Sequence, residues 1–309
     1  MRKNDLILLV VIFLSSAIAI LKPNACTPLQ PYPLYLMMLL MFMSFLKISF
    51  DSLLNTSLGS LYRLALQVVF KLLILPATLY YITSIIVPEF ATPVLLLSGI
   101  STGVVAPFIA TLFETDVAQV LRMVVITSLL APFSLPVILK ILSGSEIDIP
   151  LSLMVRLLAV VIFTPMLAVI LARRFFRRAL EQLLAYHYPI SLCIFAAINL
   201  GVFSKYSSFF YEGPHFILMA IGIAYILSVI YYCVGFFLAP GGSSSDRMAA
   251  GVSFGVMNNV LVIVFSSQFF GPLAPMLAAM YMFPLFSMVI PIKFLGSKLK
   301  WLSPESSQG

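Results

Sequence analysis

The stretch G-I-S-T-G-V, residues 99–104, has a counterpart in the second half of the chain, G-V-S-F-G-V at residues 251–256. Each copy lies within a hydrophobic segment long enough to cross a bilayer. Small residues let helices approach closely, and glycines loosen a helix locally. Two interrupted membrane helices at corresponding places in two halves are typical of the binding site of a transporter.

The composition is that of a membrane protein. The chain is 61% hydrophobic and 9% charged, whereas a soluble domain is about half apolar and about a quarter charged. With 20 prolines and 15 glycines, several helices are expected to be kinked or broken. We therefore predict an all-α polytopic membrane protein. The net charge is +7. Because the basic residues lie at helix ends, this charge indicates membrane topology rather than nucleic-acid binding.

About ten transmembrane helices are expected at roughly 20 apolar residues per span. They lie near residues 5–21, 33–50, 63–87, 91–113, 117–142, 151–172, 188–204, 215–239, 247–268 and 272–296.

The basic residues are distributed unevenly over the expected loops. One side holds Arg2, Lys3, Lys47, Arg63, Arg173, Arg174, Arg177, Arg178, Arg247, Lys293, Lys298 and Lys300. The opposite side holds only Lys22, Lys140 and Lys205. Basic loops tend to stay in the cytoplasm, so we predict a protein of the cell inner membrane with both termini cytoplasmic.

Each half of the chain contains five expected spans. Because five is odd, the second half must enter the membrane in the opposite orientation, which makes the halves an inverted repeat. We expect the first repeat over residues 1–143, the second over 150–300, and a short cytoplasmic tail over 301–309. An inverted repeat favours alternating access over a static pore.

Polar groups beside the two expected breaks are the candidates for substrate binding. In the first segment these are Ser101 and the backbone around Gly103. Pro107 follows, and it predicts unwinding near residues 103–107, because proline lacks an N–H and clashes with the preceding turn. The second segment offers Ser253, Gly255, Asn258 and Asn259. Small residues also serve plain helix packing, so that interpretation stands beside the functional one, whereas paired asparagines in an apolar helix are costly without partners.

An enzyme is not expected. The pattern G-x-S-x-G also occurs in the nucleophile elbow of hydrolases, but that elbow requires a strand-turn-helix context and a histidine–acid pair. The two histidines, His187 and His215, lie near the ends of other spans. The three cysteines have no metal-like spacing. We predict neither a cofactor nor a metal site.

Three stretches carry a family resemblance. They are 41–46 (M-F-M-S-F-L), 116–136 with its D-V-A and L-A-P, and 257–259 (M-N-N). They resemble the second-helix, fifth-helix and M-Q-N motifs of the bile acid:sodium symporter family. The resemblance implies ten helices, with the first, second, sixth and seventh forming a panel domain. The other six form a core domain in which the fourth and ninth cross. It also implies secondary transport of an organic anion.

The chain departs from this family at the positions that correspond to sodium ligands. The Ser-Asn pair and hydroxyls of the first site correspond to Ala106, Pro107, Val120 and Val124, and the shared glutamate corresponds to Phe254. Hard cations require oxygen ligands. The sequence therefore predicts a divergent member without sodium coupling of the family type, coupled to protons or to no ion.

Lys71 corresponds to a sodium-binding glutamine of the family, five residues before Pro76. We hypothesise that its ammonium group occupies the second cation site. Burial favours the neutral form of a lysine, so Lys71 could also couple transport to protons. The alternative is snorkelling, since Lys71 lies roughly 12 Å of helix rise past Arg63.

Further polar residues are candidates for the cavity. Arg122 lies about two turns into its helix and could attract an anion or pair with Glu114, whereas Asp116 is expected to cap that helix. Asn199 is a candidate for substrate contact. Gln67 and Gln268 are two further candidates for lining the cavity.

The predicted function is alternating-access transport of a small or amphipathic organic anion within the lipid bilayer. Two alternatives remain. One is a proton-linked carrier resembling the auxin efflux family, which also uses a proline-broken crossover. The other is a membrane sensor that kept the scaffold without transporting.

Overall fold

The computed structural model describes residues 3–46, 58–143, 150–239, 242–288 and 291. Within these ranges the chain is helical, and the β-structure consists of one isolated bridge. Several predictions concern residues outside this part of the chain: the basic residues Arg2, Lys47, Lys293, Lys298 and Lys300, the junction 144–149 between the expected repeats, the ends of spans 33–50 and 272–296, and the tail 301–309.

The described residues of the first half of the chain form eight α-helices. They are α1 (Lys3–Leu21), α2 (Pro23–Cys26), α3 (Pro33–Phe45), α4 (Leu58–Val69), α5 (Leu75–Ile86), α6 (Ala91–Ser98), α7 (Ala106–Leu112) and α8 (Val117–Ser143). A π-helical segment, Phe70–Ile74, joins α4 to α5 without a break. Short 3₁₀ turns lie at Thr27–Leu29 and Pro88–Phe90.

In the second half, nine α-helices lie within the ranges given above. They are α9 (Leu151–Phe175), α10 (Arg177–Ala185), α11 (His187–Lys205), α12 (Ser207–Glu212), α13 (Pro214–Phe237), α14 (Ser244–Gly255), α15 (Asn259–Phe269), α16 (Leu273–Met280) and α17 (Met282–Ser287). Apart from the short connecting helices, both halves follow one succession: three helices, one interrupted helix, and a proline-containing helix.

Five helical segments among the described residues are long and apolar enough to cross a membrane. They are Leu61–Ile86, Val117–Ser143, Leu151–Phe175, His187–Lys205 and His215–Phe237. Three shorter apolar segments accompany them: Pro33–Phe45, Asn259–Phe269 and Leu273–Ser287. The chain is thus a multi-pass helical membrane protein. Ten spans in an inverted repeat remain a prediction.

Helix ends follow the local sequence. Pro33 and Pro214 open α3 and α13, where a missing N–H costs nothing. The start of α14 is a capping box, in which the Ser243 hydroxyl accepts from the Asp246 N–H and the Asp246 carboxylate accepts from the Ser243 N–H. This cap fixes where α14 begins.

The helices form two sets of contacts, which α8 joins by packing against α9. In the first, α11 packs against α1 and α3, and α3 packs against α9. In the second, α13 packs against α14 and α16, α16 packs against α6 and α15, and α8 packs against α7 and α14. The first group contains the four helices that the family resemblance assigns to the panel, and the second contains both interrupted helices.

Candidate functional site

The first interruption lies between α6 and α7. The last helical hydrogen bond of α6 runs from the Gly99 N–H to the Leu95 carbonyl at 2.9 Å, and helix resumes at Ala106. The unwound residues are therefore 99–105 rather than the expected 103–107. Pro107 lies in the first turn of α7, where proline is tolerated because the N–H would have no helical acceptor. It starts the new helix instead of breaking the old one.

The second interruption lies between α14 and α15 and is shorter. Helix α14 ends at Gly255, and α15 begins at Asn259. The side-chain oxygen of Asn258 accepts a hydrogen bond from the Leu261 N–H at 3.4 Å, so Asn258 is the N-cap of α15. Part of the polarity of the paired asparagines therefore serves to restart the helix.

The two interruptions contact each other through their backbones. The Gly103 N–H donates to the Val256 carbonyl at 2.8 Å, and the Asn258 N–H donates to the Ser101 carbonyl at 3.1 Å. These bonds flank an antiparallel bridge between Thr102 and Met257. We call residues 99–105 and 256–258 together the crossing. Unwound backbone is tolerated at membrane depth only where protein or water satisfies it, and here each interruption partly satisfies the other.

Gly103 is required for this contact. A Cβ atom at this position would lie 2.5 Å from the Met257 carbonyl oxygen, which is closer than real Cβ atoms approach backbone. The glycine of the repeated G-x-S-x-G-V stretch is thus explained in its first copy by close approach of the two backbones.

The carbonyl groups at the end of α14 accept hydrogen bonds from side chains of three other elements. The Thr102 hydroxyl donates to the Ser253 carbonyl at 2.8 Å. The Tyr281 hydroxyl, between α16 and α17, donates to the Gly255 carbonyl at 2.7 Å. Between them, the Lys71 ammonium donates to the Phe254 carbonyl at 3.4 Å. Helix ends leave carbonyls without partners, and this end is satisfied from outside the helix.

Lys71 lies in the π-helical segment that joins α4 to α5. Pro76 follows closely, and its ring would clash with a carbonyl of a regular α-helical turn. A widened turn relieves such crowding, and π-bulges are frequent at functional sites. The side chain of Lys71 is completely buried, with 0% exposure. Snorkelling to the surface is therefore not the conformation of this lysine.

The surroundings of the Lys71 ammonium are electronegative but uncharged. Besides the Phe254 carbonyl, it lies 3.1 Å from the Met257 sulfur and 5.5 Å from the centre of the Phe254 ring. It faces the negative end of the α14 dipole and an aromatic π-face, both of which favour a cation. No carboxylate among the described residues pairs with it.

The candidate serines and asparagines have different environments. The Ser253 hydroxyl donates to the Ala249 carbonyl of its own helix at 2.8 Å, so it is satisfied locally. The Asn258 amide reaches the Ser101 hydroxyl at 3.4 Å across the crossing. The Asn259 amide nitrogen donates to the Met282 sulfur at 3.3 Å, while its oxygen is buried without a partner among the described residues.

Asn199 lies outside the crossing. Its amide nitrogen donates to the Ser15 hydroxyl at 3.3 Å, between α11 and α1. The structure therefore separates this candidate from the crossing residues. Gln268, at the end of α15, is exposed rather than directed into the protein.

Arg122 lies near the start of α8, beside Asp116. One guanidinium nitrogen is 3.7 Å from the Asp116 carboxylate. The same carboxylate accepts the Gln119 N–H at 3.0 Å, which is the helix cap expected from the sequence. Nearby on α4, Gln67 is fully buried and accepts a hydrogen bond from the Gln119 side chain at 3.3 Å. Arg122 and Gln67 thus line a small cavity away from the crossing.

The positions that the family resemblance assigns to the first sodium site and to the shared glutamate carry apolar side chains. Ala106, Val120, Val124 and Phe254 are all completely buried, with 0% exposure. Such side chains offer no oxygen atoms to a hard cation. Lys71 is the residue that the resemblance assigns to the second site, and this assignment stays a prediction.

Sequence reasoning missed Thr102, Thr127 and Tyr281. The Thr127 hydroxyl accepts the Thr102 N–H at 2.9 Å and thereby supports the first interruption from α8. Thr102 lies inside the repeated stretch, so a hydroxyl in an apolar segment was a usable signal. Tyr281 gave no comparable signal, because nothing in its local sequence indicates a carbonyl acceptor on α14.

A model of the sodium bile acid symporter family matches residues 34–212 of this chain. The matched region contains Lys71 and the first interruption, and it ends before the second. A comparison with curated proteins gives no match. Because the family model covers more than half of the chain, the chain belongs to the sodium bile acid symporter family.

Proposed function

We propose that this protein is a secondary transporter of a small or amphipathic organic anion. In this proposal it works by alternating access at the crossing of the two interrupted helices. Lys71 provides a positive charge of the chain itself where other family members bind a cation. Membership of a family of membrane transporters supports the general class. The substrate class and the role of Lys71 are inferred from the crossing.

The observation that carries the proposal is the position of the Lys71 ammonium at the end of α14. A buried, unpaired charge is expensive unless it is compensated. The carbonyl of Phe254, the sulfur of Met257 and the helix dipole compensate it only partly. An anionic substrate that binds at the crossing would complete the compensation, so Lys71 favours an anion over a neutral or cationic solute.

The crossing also offers groups that could orient a substrate. Asn259 has a buried oxygen without a partner among the described residues, and the Asn258 and Ser101 side chains share a long hydrogen bond of 3.4 Å. Groups held this weakly can exchange partners at little cost. The same region is bordered by backbone groups near Gly103 and Gly255, by Pro107 and by Ser253. Asn199 and Arg122 do not line the crossing. In this proposal they contact the substrate only if its path extends beyond the crossing.

The coupling ion follows from the same residues. The residues assigned by resemblance to the first sodium site have no side-chain oxygen atoms, and Lys71 is the residue assigned to the second. We infer that transport does not depend on a sodium gradient. These residues support one of two modes of transport. Either protons are coupled through Lys71, or transport uses no coupling ion.

The membrane arrangement is part of the proposal. Residues 1–143 and 150–300 form two inverted repeats in the inner membrane, with both termini in the cytoplasm. The repeated succession of helices in the two halves supports this arrangement. Accessibility of single cysteines, placed in a variant lacking Cys26, Cys193 and Cys233, tests it: Lys22→Cys should label from outside the cell and Arg178→Cys should not.

The experiment that tests transport uses the purified full-length protein in proteoliposomes. Thermal-shift screening with carboxylates and sulfonates, from pyruvate to taurocholate, identifies ligands, and uptake of those ligands is then measured. We expect uptake that is the same with sodium or potassium outside. Uptake that requires sodium would contradict the proposal. Ligand binding without uptake under any gradient would instead favour the sensor.

A further inference from the structure

A small polar cavity lies between α4, α8 and α14, away from the crossing. It has a volume of about 30 Å³. A water molecule needs roughly 10–15 Å³ of such space, so the cavity holds a particle of one to three atoms and not an amphipathic organic anion. Its polar lining consists of Arg63, Gln67, Asp116, Gln119, Arg122 and Asp246.

The two carboxylates of the cavity are already engaged. Asp116 caps α8 through the Gln119 N–H and lies 3.7 Å from the Arg122 guanidinium. Asp246 accepts the Ser243 N–H at 2.9 Å in the capping box of α14. Both are therefore committed to holding helix ends, which leaves them less available to a cation.

The groups left without partners favour an acceptor ligand. Gln67 is completely buried and uses one polar atom toward Gln119, and its Nε2 has no partner among the described residues. Arg63 forms no ion pair or hydrogen bond within the described part of the chain. A buried amide donor beside an unpaired guanidinium suits an anion.

The charged lining of the cavity is balanced. Arg63 and Arg122 are cationic, and Asp116 and Asp246 are anionic. Because Asp116 lies beside Arg122 and both carboxylates hold helix ends, the Arg63 guanidinium is the charge that remains for a ligand. Arg63 and Gln67 are four residues apart, which puts them on one face of α4.

We propose that this cavity binds a small monovalent anion of the size of chloride or formate, held by Arg63 and Gln67. The bound anion pairs with the Arg63 guanidinium and accepts a hydrogen bond from the Gln67 amide, whose Nε2 has no partner among the described residues. This site is distinct from the crossing in position and in the size of its ligand, and its binding can be measured without transport.

The test is thermal unfolding of the purified full-length protein in detergent, with sodium gluconate replaced stepwise by sodium chloride or sodium formate at constant ionic strength. Gluconate is too large for the cavity. Anion binding to the folded state should raise Tm saturably by about 2–4 °C. Equal Tm values in all three salts would overturn the proposal.

Three variants test whether the chloride-dependent rise in Tm comes from this cavity. Gln67→Glu supplies a fixed negative charge, so chloride should no longer shift its Tm, while its Tm in gluconate stays at or above that of the wild type. Arg63→Gln should raise the chloride concentration at half-effect by about tenfold. The matched control Arg178→Gln, at an exposed position of α10, should keep the full shift.

An unchanged chloride shift in Gln67→Glu and Arg63→Gln would overturn the site, because the effect would then be a general salt effect. If Gln67→Glu does not fold, the comparison of Arg63→Gln with Arg178→Gln decides alone. A shift lost in Arg63→Gln and kept in Arg178→Gln supports the cavity.

Discussion

The two interruptions of the crossing differ in length and in how they are satisfied. The first covers residues 99–105 and bonds mainly to the second interruption and to Thr127. The second covers only 256–258, yet it follows a helix end whose carbonyls accept from a threonine, a lysine and a tyrosine of other elements. A short break leaves its helix end in place, so that end becomes a fixed electronegative site. The longer break supplies an extended stretch of backbone that fits against it.

This difference explains why the charge lies at the second interruption. The end of α14 presents aligned carbonyls and the negative pole of a helix dipole, and Lys71 is directed at it from the π-helical turn. The first interruption presents amide N–H groups that already donate to the Val256 carbonyl and to Thr127. The Lys71 ammonium and the backbone of the first interruption thus both bind at the C-terminal end of α14.

The largest effect is expected where the two interruptions touch. Gly103→Ala places a methyl group against the Met257 carbonyl, where it would lie at 2.5 Å, so one backbone must move. We expect a loss of about 3 kcal/mol of stability, measured by thermal unfolding in detergent. Gly222→Ala is the matched control, because nothing lies within 4 Å of its Cβ position.

The control should be neutral or slightly stabilising, since alanine is favoured over glycine in a helix by about 0.5–1 kcal/mol. Equal stability of the two variants would mean that the interruptions do not approach as closely as described.

The second prediction concerns the tyrosine that closes the end of α14. Tyr281→Phe removes the hydroxyl that donates to the Gly255 carbonyl and leaves that acceptor buried. The expected cost is about 1.5 kcal/mol. Tyr232→Phe removes a buried hydroxyl that has no partner among the described residues, so it should cost nothing. If both variants lost the same stability, the cap on Gly255 would be irrelevant.

The third prediction concerns the hydroxyl that links the interruptions. Thr102→Val keeps the shape of the side chain but removes its bond to the Ser253 carbonyl. We expect a loss of about 1 kcal/mol in thermal unfolding. Thr92→Val, at a half-buried threonine of α6 without a side-chain hydrogen bond in the described structure, provides the baseline. A Thr102→Val variant as stable as Thr92→Val would remove this link from the account.

The sequence indicated both interruptions, because glycine and serine inside apolar spans are local signals. It misplaced the first one, since Pro107 is compatible with a helix start as well as a helix break, and only the position of Gly99 relative to Leu95 decides between them. Lys71 was identifiable because a charge within a span is rare. Its partner was not, because Phe254 contributes a backbone carbonyl that no side-chain pattern reveals.

The polar residues predicted to line the cavity also show what the sequence cannot reveal. Arg122 and Gln67 were recognised as polar residues in spans, but their separation from the crossing depends on how α4 and α8 pack. Asp246 drew no attention as a loop acid, although it lines the cavity and caps α14. Local chemistry was therefore readable from the sequence, whereas the assignment of residues to one site or another required tertiary contacts.

The most direct test of the central claim is anion uptake by Lys71→Gln in proteoliposomes, with Lys22→Gln as the exposed control. The substrate probe is the anion selected by thermal shift from the pyruvate-to-taurocholate series. Uptake is measured against external pH, with and without sodium. Glutamine removes the fixed charge and offers an oxygen beside the Phe254 carbonyl. We predict that uptake without sodium falls by at least about tenfold, which corresponds to 1.4 kcal/mol, and that its pH profile changes. Added sodium should restore part of it. The same rate, pH profile and sodium independence in Lys71→Gln as in the wild type would contradict the claim that Lys71 takes the place of a bound cation.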